Sequence, residues 1–183
     1  MKLGKEQSRE MVKNHYLALA EEKLEHAGRV RKISGRIADR LEKQGRFCVD
    51  RPLLLNAAQL HDIAKLDNDR KHHKKAKKAI KKEYRKLTGE KLAKRDRKHL
   101  GAVIQAHKGS FDPPDHVALE AAVLRMADKI DQTARGKRHA KKSYKKHMKK
   151  IKDSGCFDRK KDYKRFKKAC KKVLKHAKDD FKA

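Results

Sequence analysis

The chain has 183 residues, enough for one domain with a real core and too few for two comfortable ones. Charged residues make up 43% and hydrophobic residues 37%, with no Trp, so the core must be compact and much of the surface charged. The net charge of +30 calls for a counter-charge such as RNA, DNA, a ribosome, polyphosphate or an anionic surface, and no apolar run is long enough to span a bilayer.

Pro and Gly are few, and no run of alternating β-branched residues occurs, so helical periodicity dominates. Met11, Tyr16, Leu19 and Leu24 predict a first helix. A second follows His26 through Val30, Ile33, Ile37 and Leu41, and Gly45 and Pro52 bracket a turn. Leu53 to Leu60 is the most apolar stretch and reads as a buried helix ending at His61-Asp62. A lysine-rich helix is expected from about His72 to Leu87, broken by Thr88-Gly89. Leu100 to Ala106 reads as a short helix closed by Lys108-Gly109, and Phe111 to Asp115 as a loop, because Pro113 and Pro114 do not fit a helix interior. From Val117 to about Gln132 the apolar pattern marks another buried helix.

Composition shifts after Arg135. Residues 137–183 hold 21 Lys or Arg against 5 Asp, about half of the excess charge. Ala140, Tyr144, Met148 and Ile151 repeat at helical spacing, as do Tyr163, Phe166, Cys170, Val173, Ala177 and Phe181. A disordered basic tail does not usually keep such a stripe. Two amphipathic helices hinged at Ser154-Gly155 are expected, packed on the domain with their lysines outward. The organisation is then a first unit over 1–136 and a lysine-rich helical extension over 137–183. Cys48, Cys156 and Cys170 form no CxxC pair and read as reduced and structural. No signal peptide is evident, and the cytoplasm is the expected location.

Placement, rather than their number, singles out a few of the eleven histidines. His61-Asp62 ends a buried helix, so a neutral nitrogen and an anionic oxygen can enter one pocket, a mixture suited to a borderline or hard divalent ion. Asp128 lies among Met126, Ala127 and Ile130, where a carboxylate needs a cation or strong donors to offset desolvation. His26 begins one periodic helix and His107 closes another. His15, His116, His139, His147 and His176 read as surface residues.

The order His26, His61-Asp62, Asp128, with the flanks His-Ala-Gly-Arg-Val, Leu-His-Asp-Ile-Ala-Lys and Leu-Arg-Met-Ala-Asp-Lys-Ile-Asp, resembles the H…HD…D signature of the HD superfamily over about residues 15–135. The resemblance implies an all-α fold, a single HD-domain helical bundle with the basic helical extension beyond it. It also implies that His26, His61, Asp62 and Asp128 hold one divalent ion (Mn, Fe, Co, Ni, Mg or Zn). A second ion, bridged by Asp62, would use His107 with His72, the alternatives being His73 and His99. The implied activity is that of a phosphohydrolase acting on a phosphate ester or anhydride of a nucleotide, RNA end or polyphosphate through metal-activated water. Asp62 would orient the attacking water and Lys65 would reach a substrate phosphate, with Arg29 and Lys129 as further candidates. The competing reading is a polyanion-binding protein whose HD site is structural or silent, its partner RNA, a ribosome, DNA or polyphosphate.

Overall fold

A computed structural model describes residues 4–15, 20–65 and 72–179; the side chains of residues 5, 13–15, 20–21, 23 and 72–74 lie outside that description. The described elements are α1 (Lys5–His15), α2 (Ala20–Glu42), α3 (Arg51–Leu60), α4 (His72–Thr88), α5 (Lys94–Ala106), α6 (Ala118–Ala134), α7 (Ala140–Asp153) and α8 (Lys160–Asp179), with a 3₁₀ turn at Asp115–Val117. Among the described residues there is no strand, and the fold is all-α as expected.

The bundle is built around α6, which packs against α2, α3, α5, α7 and α8. Every residue from Glu120 to Asp131 is buried, so α6 has no solvent face. Ala118, Ala121, Ala122 and Ala127 keep its surface small enough for neighbours to approach from several sides. The other heavily buried helix is α3. Its start is defined by Asp50, whose carboxylate accepts the Leu53 N–H at 2.9 Å, with Pro52 in the first turn where no intrahelical donor is needed. The Asp50 N–H in turn donates to Glu120 at 2.8 Å, tying the start of α3 to α6.

Two boundaries differ from the sequence reading. Leu24 and His26 share one helix, because α1 ends at His15 and α2 begins at Ala20. The strong helix formers Ala20 to Lys23 extend α2 upstream of its apolar stripe. Tyr16 and Leu19, assigned to the first helix, lie outside the described residues. Helix α5 begins at Lys94 rather than near Leu100, since its polar opening Lys-Arg-Asp-Arg-Lys-His carries no apolar period. The predicted stripes of α7 and α8 are buried at Ala140, Tyr144, Met148, Ile151, Phe166, Cys170, Val173 and Ala177; Phe181 lies outside the described residues. Gly155, at φ +72°, makes the turn between them in a conformation that disfavours a side chain.

Phe166 of α8 has no exposed surface and packs on Phe157 with ring centroids 5.0 Å apart. Phe166→Ala should therefore cost about 3–5 kcal/mol in urea unfolding. Its exposed neighbour, as Lys167→Ala, should stay within about 0.5 kcal/mol. A near-neutral Phe166→Ala would mean that α8 is only loosely attached.

Candidate metal centre

Four elements deliver the central side chains. His26 comes from the second turn of α2, His61 and Asp62 from the end of α3, His107 from the end of α5, and Asp128 from the middle of α6. All five are buried. The sequence-selected residues His26, His61, Asp62, His107 and Asp128 thus meet in one place. His72 opens α4, but its side chain and that of His73 lie outside the described residues. His99 instead stacks on His116, centroids 4.6 Å apart, on the outer part of α5.

The imidazoles are oriented by their Nδ1 atoms. His61 and His107 both follow the last residue of a helix, where carbonyls lack intrahelical donors. Each turns its Nδ1–H back to the carbonyl three residues earlier, Ala58 for His61 (2.8 Å) and Ile104 for His107. The Nδ1 of His26 donates to Asp131 Oδ2 at 2.8 Å. A nitrogen facing an acceptor carries the proton, so in each imidazole, when neutral, Nε2 keeps its lone pair.

Those lone pairs converge on the carboxylates. His26 Nε2 lies 3.4 Å from Asp128 Oδ1 and 3.8 Å from Asp62 Oδ2. His61 Nε2 lies 3.7 Å from Asp62 Oδ2, whereas His107 Nε2 lies 3.8 Å from the other oxygen, Oδ1. Ligand atoms of His26, His61 and Asp62 all fall within 4.8 Å of one another. Apart from the 3.4 Å His26–Asp128 contact, these separations exceed hydrogen bonds and match atoms arranged around a shared centre. His61 Nε2 is buried and has no hydrogen-bond partner among the described residues, an acceptor waiting for a cation. Two to three neutral nitrogens and two carboxylates form a donor set that fits a borderline or hard divalent ion.

Electrostatics favour neutral imidazoles at His61 and His107, an ionised carboxylate at Asp128 and, in the metal-free protein, a protonated His26. Burial pushes His61 below its ordinary value and His107 well below, keeping both neutral. For Asp128, burial opposes ionisation, but the His26 hydrogen bond and the Lys129 charge outweigh it and hold the carboxyl well below the usual range. For His26, burial is overcome by hydrogen bonds to Asp128 and Asp131, raising its value.

Several supporting groups escaped the sequence reading. Asp131 is fully buried and accepts from His26, from Arg29 Nε at 2.8 Å and from Arg135 Nη2 at 2.9 Å. Its signal was the three-residue step from Asp128, which puts both carboxylates on one helix face. Arg29, considered for phosphate contact, is engaged by Asp131. Lys65 Nζ donates to Asp62 Oδ2 at 2.7 Å and Lys129 Nζ to Asp128 Oδ2 at 2.8 Å, so both stand beside the carboxylates. Gln132 also donates to Asp128, at 2.7 Å. Burial lowers Lys108, which shares the field of Asp62, Lys65, Asp128 and Lys129. Arg125, fully buried, donates to Ala106 O at 2.8 Å and Gly109 O at 2.7 Å, clamping the turn after His107. Its Nε donates to His147 Nδ1 at 2.6 Å, so His147 is a half-buried partner rather than a plain surface residue.

The depressed histidines set a pH dependence for the metal-free protein. Burial lowers His61, His107 and His147, the last to about 3, from 6.5. Below pH 6.5 the unfolded chain therefore binds protons that the folded chain refuses. His26, being raised, is protonated in the folded state there, and its opposing slope fades as the unfolded imidazole also protonates below 6.5. In EDTA the urea midpoint should fall steadily as pH drops from about 6.5 to 5. A midpoint unchanged across that range would show that the histidines are not held neutral.

The HD domain family model matches residues 24–133, from the second turn of α2 almost to the end of α6. No curated protein and no solved structure matches the chain significantly. The matched span is well over half of the 183 residues and contains His26, His61, Asp62, His107 and Asp128, while α7 and α8 lie beyond it. The chain belongs to the HD-domain family.

Proposed function

We propose that the protein is a metal-dependent phosphohydrolase that cleaves a phosphate ester or anhydride. The observation that carries this reading is the convergence of three imidazole Nε2 atoms, each oriented through Nδ1, on the Asp62–Asp128 pair. HD domains are in general metal-dependent hydrolases.

His26, His61, Asp62 and Asp128 would hold the first ion. Asp62 turns Oδ2 to His26 and His61 and Oδ1 to His107, the disposition of a carboxylate that can bridge to a second ion held with His107 and His72. A bound divalent ion supplies positive charge for a phosphoryl oxygen and lowers the pKa of its water. The chain's own part is positioning. Asp131 keeps neutral His26 in one tautomer, and Asp62 would orient a metal-bound water. Lys65, Lys108 and Lys129 form a cationic rim around the two carboxylates. Once an ion neutralises Asp62 and Asp128, these ammonium groups are available to substrate phosphate. Lys65, closest to Asp62, is the first candidate for that contact.

The net charge of +30 supports a polyanionic partner such as RNA, a ribosome or polyphosphate in addition to the substrate. A helix long and apolar enough to cross a membrane is not found among the described residues.

Protein purified without chelator should carry at least one equivalent of a divalent ion by elemental analysis, and Asp62→Ala should lose most of it. Asp131→Asn should keep its helical circular dichroism while binding the ion roughly 10–100-fold more weakly, because a neutral amide oxygen is a weaker acceptor than a carboxylate for the His26 Nδ1–H. Equal metal content in the native protein and Asp62→Ala would refute the ligand assignment.

A phosphate-release screen over nucleotides, RNA ends and polyphosphate should find activity that EDTA abolishes and Mn, Co, Ni, Mg, Fe or Zn restores. Metal binding without release from any of these would favour the polyanion-binding reading with a silent HD site.

A further inference from the structure

Helices α7 and α8 enclose a groove of about 490 Å³ on the side of the molecule that they cover. From α7 it is lined by Lys141, Lys145, Lys149 and Lys152, spaced three or four residues apart and so stacked along one helix edge. Lys167, Lys171 and Lys178 line it from α8. Among the described residues no Asp or Glu lines it, and none of these lysines makes an ion pair. Unpaired lysines in facing rows leave a positive potential that only an external anion can neutralise.

The floor differs in kind. Tyr144, Met148, Tyr163 and Leu174 make it apolar and partly aromatic. Tyr144 is about nine-tenths buried, and its hydroxyl has no hydrogen-bond partner among the described residues. The next step of α7 turns Met148 to the same floor, and its carbonyl accepts from the Tyr163 hydroxyl at 3.3 Å, which joins the two helices beneath the groove.

We propose that the groove between α7 and α8 binds a single-stranded nucleic acid, its phosphates held by the two lysine rows and its bases laid against the Tyr163–Met148 floor. This inference rests on the polyanion reading above and names the partner and its place. Single strands are bound where a cationic channel tracks the backbone and a flat apolar platform receives bases. Polyphosphate has no apolar part for the floor. A duplex keeps its bases stacked inside and offers the rim only phosphates. A membrane needs apolar groups that protrude, and here they lie beneath the lysines.

The test is fluorescence anisotropy of a dye-labelled uridine oligonucleotide with full-length protein in EDTA, so that no hydrolysis intervenes. Because α7 and α8 cover α6, substitutions are preferable to truncation. The variant K145Q/K149Q/K171Q removes charge from the groove, and K78Q/K81Q/K82Q removes the same charge from exposed positions of α4. The groove variant should weaken binding roughly tenfold or more and flatten the log–log salt slope by about 2, while the α4 variant changes affinity less than about threefold. Tyr163→Leu should weaken the oligonucleotide about fivefold or more without changing the salt slope or polyphosphate affinity. Equal losses from the two lysine variants would overturn the groove and leave the polyanion reading standing. Duplex, polyphosphate or phosphatidylglycerol vesicles bound as tightly as the oligonucleotide would also overturn it. No salt-sensitive binding of any polyanion by the native protein would overturn both.

Discussion

Helix α6 places Glu120, Arg125, Asp128, Lys129 and Asp131 in a stretch without solvent exposure, and ionised groups there are tolerable only if each is matched. The surrounding helices are arranged around that demand. The start of α3 gives Glu120 a backbone donor. The turn after α5 gives Arg125 its carbonyl acceptors, and α2 supplies His26 and Arg29 to Asp131. Removing any one partner would strand a buried charge, a larger penalty than losing an exposed ion pair. The polar interior therefore specifies which helices must meet α6 and in what register.

At the metal centre the matching is incomplete. Lys129, Gln132 and His26 surround Asp128, yet the Nε2 of His61 ends without a described partner. His61 and His107 reach this point through a shared local device: a histidine at a helix end closes on a carbonyl that the helix leaves unsatisfied. The device costs no separate scaffold, because the helix terminus supplies the acceptor. It also directs the Nε2 edge of each ring away from the helix and toward Asp62. The rim of Lys65, Lys108 and Lys129 then suits an anionic substrate better than a neutral one.

Helices α7 and α8 serve two physical ends at once. Their buried stripes cover α6 and α2, completing the core. The lysines that line the groove between them make no ion pair among the described residues, so neighbouring positive charges repel. Self-repulsion of this kind weakens the compact state and is relieved when an anion binds. Core-forming contacts hold the lysines in fixed rows, which a disordered tail with the same composition would not do.

Much of this was legible in the residues alone. Apolar spacing located α3, α4, α6, α7 and α8 to within a few positions, because burial of one face imposes its period on the chain. The positions of α2 and α5 were misjudged at their polar ends, where helix propensity acts without an apolar stripe to reveal it. His26, His61, Asp62, His107 and Asp128 stood out because ionisable groups were embedded in apolar surroundings or placed at helix ends. Asp131, Lys108 and the Arg125–His147 contact did not. Their meaning depends on which side chain stands opposite, at separations of 105 residues for His26–Asp131 and 22 for Arg125–His147. The sequence by itself determined the helices, their buried faces and the excess of positive charge, since these follow from local spacing and composition. Only the tertiary structure decided which imidazoles share a carboxylate and which lysines face each other across a groove, because distance between side chains is a property of packing.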